Sequence, residues 1–98
     1  MSDNGETGGA VRKRKIEILN QYGIHARPAA MIVKIANRYR ADLFFEKDGT
    51  RVSGKSIMGL MTLEASRGSR VLVVAEGPEA EQILDEIERL ADRKFDEE

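Results

Sequence analysis

Val71-Leu72-Val73-Val74-Ala75 is an uninterrupted apolar run rich in β-branched residues, ended by Gly77-Pro78. It predicts a strand in the middle of a sheet, because only a strand flanked by partners needs apolar side chains on both faces. The chain has 98 residues and no cysteine, so no disulfide can substitute for a core. One small domain must bury this strand with its own helices and strands, and the 41% apolar share is that of an ordinary globular core.

The remaining patterns supply those partners. Arg14-Lys15-Ile16-Glu17-Ile18 alternates polar and apolar residues as a half-buried strand does. A helix is expected from about Ala26 to Tyr39, with Ala29, Ile32, Val33, Ala36 and Tyr39 on its apolar face. Asp42 to Glu46 predicts a second strand, and Asp48-Gly49 a hairpin into Arg51-Val52-Ser53. A short helix follows from Ser56 to about Ala65, ended near Gly68. The last helix buries Ala80, Ile83, Leu84, Ile87, Leu90 and Ala91. Glu79 and Glu81 are expected in its first turn and Arg93 and Lys94 in its last, matching the helix dipole. The order β-α-β-β-α-β-α defines an α+β fold, one sheet covered on one face by helices. Residues 1–10 are Gly-containing, acidic and nearly free of large apolar side chains, and are expected to be a disordered tail before a domain over residues 11–98.

Composition excludes much. Without cysteine there is no thiolate chemistry or Cys-rich zinc site, and one histidine rules out a multi-His metal centre, so no metal and no cofactor is expected. A net charge of −1 and 5% aromatics give no footprint for nucleic acid, and Arg12-Lys13-Arg14-Lys15 is expected to be a solvated strand face. No apolar run approaches a membrane span and no export h-region is present, so a cytoplasmic protein is expected.

The chemistry is concentrated in Gly23-Ile24-His25-Ala26-Arg27-Pro28. Proline is tolerated in a first helical turn, which places the helix start near His25 with the amides of Ala26 and Arg27 free. Ser, Thr, Asp and Asn are the usual caps, so histidine there is odd on stability grounds. It makes sense if the imidazole must hold an anion beside those amides. Taken alone, His-x-Arg-Pro is more often a plain helix cap with a solvated arginine.

A second motif, Lys55-Ser56-Ile57-Met58-Gly59-Leu60-Met61, changes that balance. With Gly23-Ile24-His25-Ala26-Arg27-Pro28-Ala29-Ala30 and the order of elements, the chain resembles the HPr phosphocarriers of the bacterial phosphoenolpyruvate-dependent phosphotransferase system, over about residues 13–94. The resemblance implies an open-faced β-sandwich: a four-stranded antiparallel sheet with three helices on one face. It implies a phosphocarrier, not an enzyme, that takes a phosphoryl group on Nδ1 of His25 from an enzyme I type donor. The group then passes to sugar-specific acceptor domains of the enzyme II A type. Neutral imidazole suits the role, because it is nucleophilic near neutral pH and its N–P bond stays labile. The amides of Ala26 and Arg27 and the Arg27 guanidinium would face the phosphoryl oxygens, with Pro28 fixing the helix start. A carrier that held phosphate tightly would slow onward transfer, so a shallow, exposed site is expected. Tyr22 departs from the small polar residue that several family members have there.

The resemblance also implies phosphorylation of Ser56 by a serine kinase/phosphorylase, and in that form binding to transcriptional regulators. From the residues alone Ser56 is a helix N-cap. Helical spacing puts Leu60 and Leu63 toward the core and, with the resemblance, Ile57, Met58 and Met61 on an exposed patch suited to several partners; from the residues alone, Met58 and Met61 as core gap-fillers is slightly the better reading. A monomer is expected. A nitrogen-related regulatory carrier of the same family is the alternative, and a small α+β nucleic-acid-binding domain a remote one.

Overall fold

Hydrogen bonding places the apolar run between two partner strands, as its composition requires. In the computed structural model, which describes residues 10–97, the strands are β1 (Val11–Glu17), β2 (Asp42–Lys47), β3 (Thr50–Ser53) and β4 (Arg70–Glu76). They form one antiparallel sheet in the order β1-β4-β2-β3. Helices α1 (Ala26–Ala36), α2 (Ile57–Thr62) and α3 (Ala80–Asp92) complete the expected order, and a short 3-10 turn, Lys94–Asp96, follows α3. Residues 1–9 of the expected tail lie outside the described residues, while the Ala10 carbonyl accepts a hydrogen bond from the Gly77 amide (3.0 Å).

Strand pleating separates two faces. Ile16, Leu43, Phe45, Val71, Val73 and Ala75 join one buried cluster with the α3 stripe Ala80, Ile83, Leu84, Ile87, Leu90 and Ala91. Each fully buried Leu or Ile contributes about 1.5–3 kcal/mol. The opposite face carries Lys13, Val74, Phe44 and Ser53 in one register row and Lys15, Leu72, Glu46 and Arg51 in the next. The Arg51 guanidinium lies 4.8 Å from the Phe44 ring centroid. The β2–β3 hairpin turns on Asp48 and Gly49, with φ of 50° and 81°, the two positive values a type I′ turn needs. Among the described residues no helix is long and apolar enough to cross a membrane.

Three local expectations fail. Helix α1 stops at Ala36, short of Tyr39, because the chain turns to dock on α3. Arg38 and Tyr39 both donate to the Glu86 carboxylate, and the Arg40 amide donates to Glu79 Oε1 (2.6 Å). Ile35 takes the buried place, while Val33 and Tyr39 are only partly buried. Helix α2 ends at Thr62, because Glu64 adopts a left-handed conformation (φ 55°) ahead of the expected stop at Gly68. At the ends of α3, Glu79 and Arg93 are the flanking cap residues and Lys94 lies beyond the helix, so Glu81 and Arg89 are the charges inside the first and last turns.

The basic stretch is not uniformly solvated either. Pleating turns Lys13 and Lys15 away from the helices and Arg14 toward them, where its side chain is 22% exposed. Arg14 Nη1 donates to Asp85 (2.6 Å) and Glu88 (3.0 Å), and Nη2 to Glu81 (2.7 Å). These carboxylates share one face of α3 by helical spacing. Asp85 in particular raises the already high Arg14 pKa. Replacing Arg14 with Met leaves three like charges without their common counter-ion. Urea unfolding should show a loss of about 1–2 kcal/mol, smaller at high salt.

Candidate functional site

The start of α1 is fixed by the loop before it. The Ile24 amide donates to the Ala65 carbonyl (3.0 Å), and the Gly23 carbonyl accepts from the His25 amide (3.0 Å) and from Asn20 Nδ2 (2.8 Å). Gly23 makes this docking possible. Its φ is +66°, and a Cβ there would lie 2.2 Å from the Ala65 carbonyl oxygen. Ile24 and Ala29, the positions of a hydrophobic staple, are both buried.

His25 is the N-cap, with extended backbone (φ −93°, ψ −164°) and a side chain that makes no capping bond. The first amide taken up by the helix is that of Ala29, 2.9 Å from the His25 carbonyl. The amides of Ala26 and Arg27 therefore have no partner among the described residues, and Pro28, buried at the third position, has no N–H to leave unpaired. Four residues named from the sequence, His25 to Pro28, thus meet at one helix terminus. The Arg27 side chain is 59% exposed.

The site is shallow, but more contacts surround the ring than the few expected. The His25 side chain is 38% exposed, with the Tyr22 ring edge-on at 6.2 Å between centroids. Its Nε2 lies 2.7 Å from Glu97 Oε2. The other Glu97 oxygen accepts from Asn20 Nδ2 (2.9 Å), and Arg27 Nη1 stands 3.8 Å from Oε2. The Asn20 amide, then His25 and Arg27, hold the Glu97 carboxyl below the usual carboxylate range. A groove of about 580 Å³, which His25 itself does not line, is bounded by its neighbours Tyr22, Arg27 and Glu97 together with Arg67 and Lys94. Asn20, Arg67, Lys94 and Glu97 carry no motif and are far from His25 in sequence, except Asn20, whose burial (1% exposed) no pattern announced.

Ser56 caps α2, its Oγ accepting from the Gly59 amide (2.9 Å). Leu60 and Leu63 are buried, whereas Ile57, Met58 and Met61 are 40%, 75% and 41% exposed, so the methionines do not fill core gaps. Among the described residues no group of three or more His, Cys, Asp or Glu could hold a metal ion.

A fold of one helix-covered sheet with a partly exposed histidine at a helix N-terminus defines a small protein suited to group transfer between partners. A family model described as the PTS HPr component phosphorylation site matches residues 12–93. The chain is 45% identical over 85 residues to the phosphocarrier protein HPr of Treponema pallidum, covering 87% of this chain and 97% of that protein. It is 44% identical over 75 residues to the HPr-like protein Crh of Bacillus subtilis, covering 76% and 88%. The crystal structure of HPr-C-His from Thermoanaerobacter tengcongensis has a TM-score of 0.84 at 41% identity, covering 89% of this chain and 98% of that one. The chain belongs to the HPr phosphocarrier family of the phosphotransferase system.

Two outcomes follow from this geometry. Gly23→Ala should cost more than about 2 kcal/mol in urea unfolding, because the loop must leave Ala65 to accommodate the Cβ. The lowered Glu97 pKa means that its contacts stabilise the fold fully above the ordinary carboxylate range, and that this contribution is lost as pH falls through the lowered value. Unfolding followed from about pH 5 to pH 2 should therefore show a smaller acid loss in Glu97→Gln than in the wild type.

Proposed function

We propose that His25 is the residue that carries the phosphoryl group. The observation that carries this reading is a ring at an N-cap that performs no capping, set beside two amides without a partner among the described residues and an exposed guanidinium. The Nδ1 lone pair attacks phosphorus on a phosphorylated enzyme I type donor. The N–P bond forms as the donor's bond to phosphorus breaks, and its electron pair returns to the donor. The amides of Ala26 and Arg27, at the positive end of the α1 dipole, and the Arg27 side chain receive the phosphoryl oxygens. An enzyme II A type acceptor reverses the step. Few contacts hold the group, so neither direction is blocked by tight ground-state binding. The protein is a substrate of the relay and not an enzyme in its own right, and it works in the cytoplasm as a monomer.

Ser56 is the regulatory position in this reading, modified by a serine kinase/phosphorylase. A phosphate at the α2 N-cap adds about two negative charges without opposing the helix dipole, so it alters recognition more than folding. Exposed Ile57, Met58 and Met61 form the docking surface for donor, acceptor and, in the serine-phosphorylated form, transcriptional regulators. The higher similarity to proteins named HPr and Crh supports this branch over the nitrogen-related one.

With labelled phosphoenolpyruvate and a donor enzyme, the wild type should acquire acid-labile phosphate. His25→Ala should take up none while unfolding at the wild-type urea concentration. Label on that variant would move the carrier role elsewhere. In the same assay Ser56→Asp should accept phosphate about tenfold more slowly or worse, by repelling an acidic donor surface, and an unchanged rate would remove Ser56 from the scheme.

A further inference from the structure

Glu97 reaches His25 on a backbone that resists its own conformation. Lys94, Phe95 and Asp96 have φ of 58°, 54° and 58°, three successive non-glycine residues in the left-handed region. There the Cβ crowds the following carbonyl, so such residues normally occur singly. A run of three persists only where surrounding contacts over-determine it. Here Phe95 is fully buried in the core. Arg93 Nε donates to Asp96 Oδ1 (2.9 Å), and the Glu97 amide donates to the Lys94 carbonyl (2.9 Å). The product of this turn is one carboxylate placed on one ring nitrogen.

Resting on the reading that His25 carries the phosphoryl group, we propose that Glu97 is a positioning residue for phosphoryl transfer, accepting the Nε2–H hydrogen bond and so leaving the His25 lone pair on Nδ1. Two nitrogens compete for the single proton of a neutral imidazole, and the partner of one decides the chemistry of the other. Nε2 lies 2.7 Å from Glu97 Oε2, and because a carboxylate can only accept, this contact assigns the proton to Nε2. As Nδ1 bonds to phosphorus and the donor's bond breaks, the ring gains positive character, and the adjacent carboxylate stabilises it while the proton stays on Nε2. Asn20, which also donates to the Gly23 carbonyl, donates to the second Glu97 oxygen and orients the carboxylate toward the ring. Arg27, at 3.8 Å, is beyond hydrogen-bond length from Glu97 and remains available to the phosphoryl oxygens.

The test uses the full chain as wild type, Glu97→Ala and Glu97→Gln, each checked for fold by urea unfolding. Nitrogen-15 spectra of the His25 ring report the tautomer, and transfer from a phosphorylated donor protein reports kcat and KM. The wild type should show the Nε2–H form of the neutral ring. Glu97→Ala should show a mixture, with kcat lowered about tenfold or more and KM little changed. Glu97→Gln, whose carbonyl still accepts, should keep the tautomer and lose less. A wild-type tautomer and kcat in Glu97→Ala would overturn the proposal, as would a faster variant, which would make Glu97 an obstruction. Label persisting in His25→Ala would instead remove the carrier reading and this proposal with it.

Discussion

The hydrogen bond from the Ile24 amide to the Ala65 carbonyl holds the functional end of the molecule together. It ties the loop before α1 to the loop after α2, two segments that share no secondary structure. The contact requires a residue without a side chain at position 23, since any Cβ would collide with the same carbonyl. Once made, it fixes where α1 begins, which amides are left without partners, and how the imidazole leaves the backbone. A histidine on a free loop would have the same chemistry without the orientation, and orientation is much of what positioned groups contribute to transfer.

Charge around the ring is arranged in two tiers. Arg27, Arg67 and Lys94 border an open groove, where water screens them and an incoming anion can reach them. Glu97 is more enclosed, with 18% of its side chain exposed, and is held by a buried asparagine. A lone carboxylate beside a phosphoryl site would be repulsive. Neighbouring cations and the Asn20 amide offset that repulsion, which is why the carboxyl sits below the ordinary carboxylate range.

Elements that depend on apolar periodicity were legible in the sequence. The β4 run reveals itself by unbroken apolar, β-branched residues, the α3 stripe because every third to fourth residue faces one core, and Asp48-Gly49 marks a turn that few other pairs can make. Boundaries decided by distant partners were not legible. Nothing near Tyr39 indicates that Glu86 waits on another helix to take its hydroxyl, and Glu64 is an unusual residue for a left-handed stop. Within the site, the motif residues His25 to Pro28 were legible because a helix terminus is a local object. Glu97 was not, because Lys94, Phe95 and Asp96 have no intrinsic preference for the conformation that delivers it. The single hint was Phe95, an aromatic residue inside a charged ending that would be solvated unless it folded back into the core.

The sheet is open, and among the described residues β1 and β3 at its two margins each pair with a single neighbour. Open margins invite other chains to add strands, the first step toward aggregates. Here β3 is only four residues long, and β1 bears Lys13 and Lys15 along its wet side. Short length at one margin and repeated positive charge at the other discourage copies from zipping together. The lysines that the sequence sets on a solvated strand face are, on this view, fences.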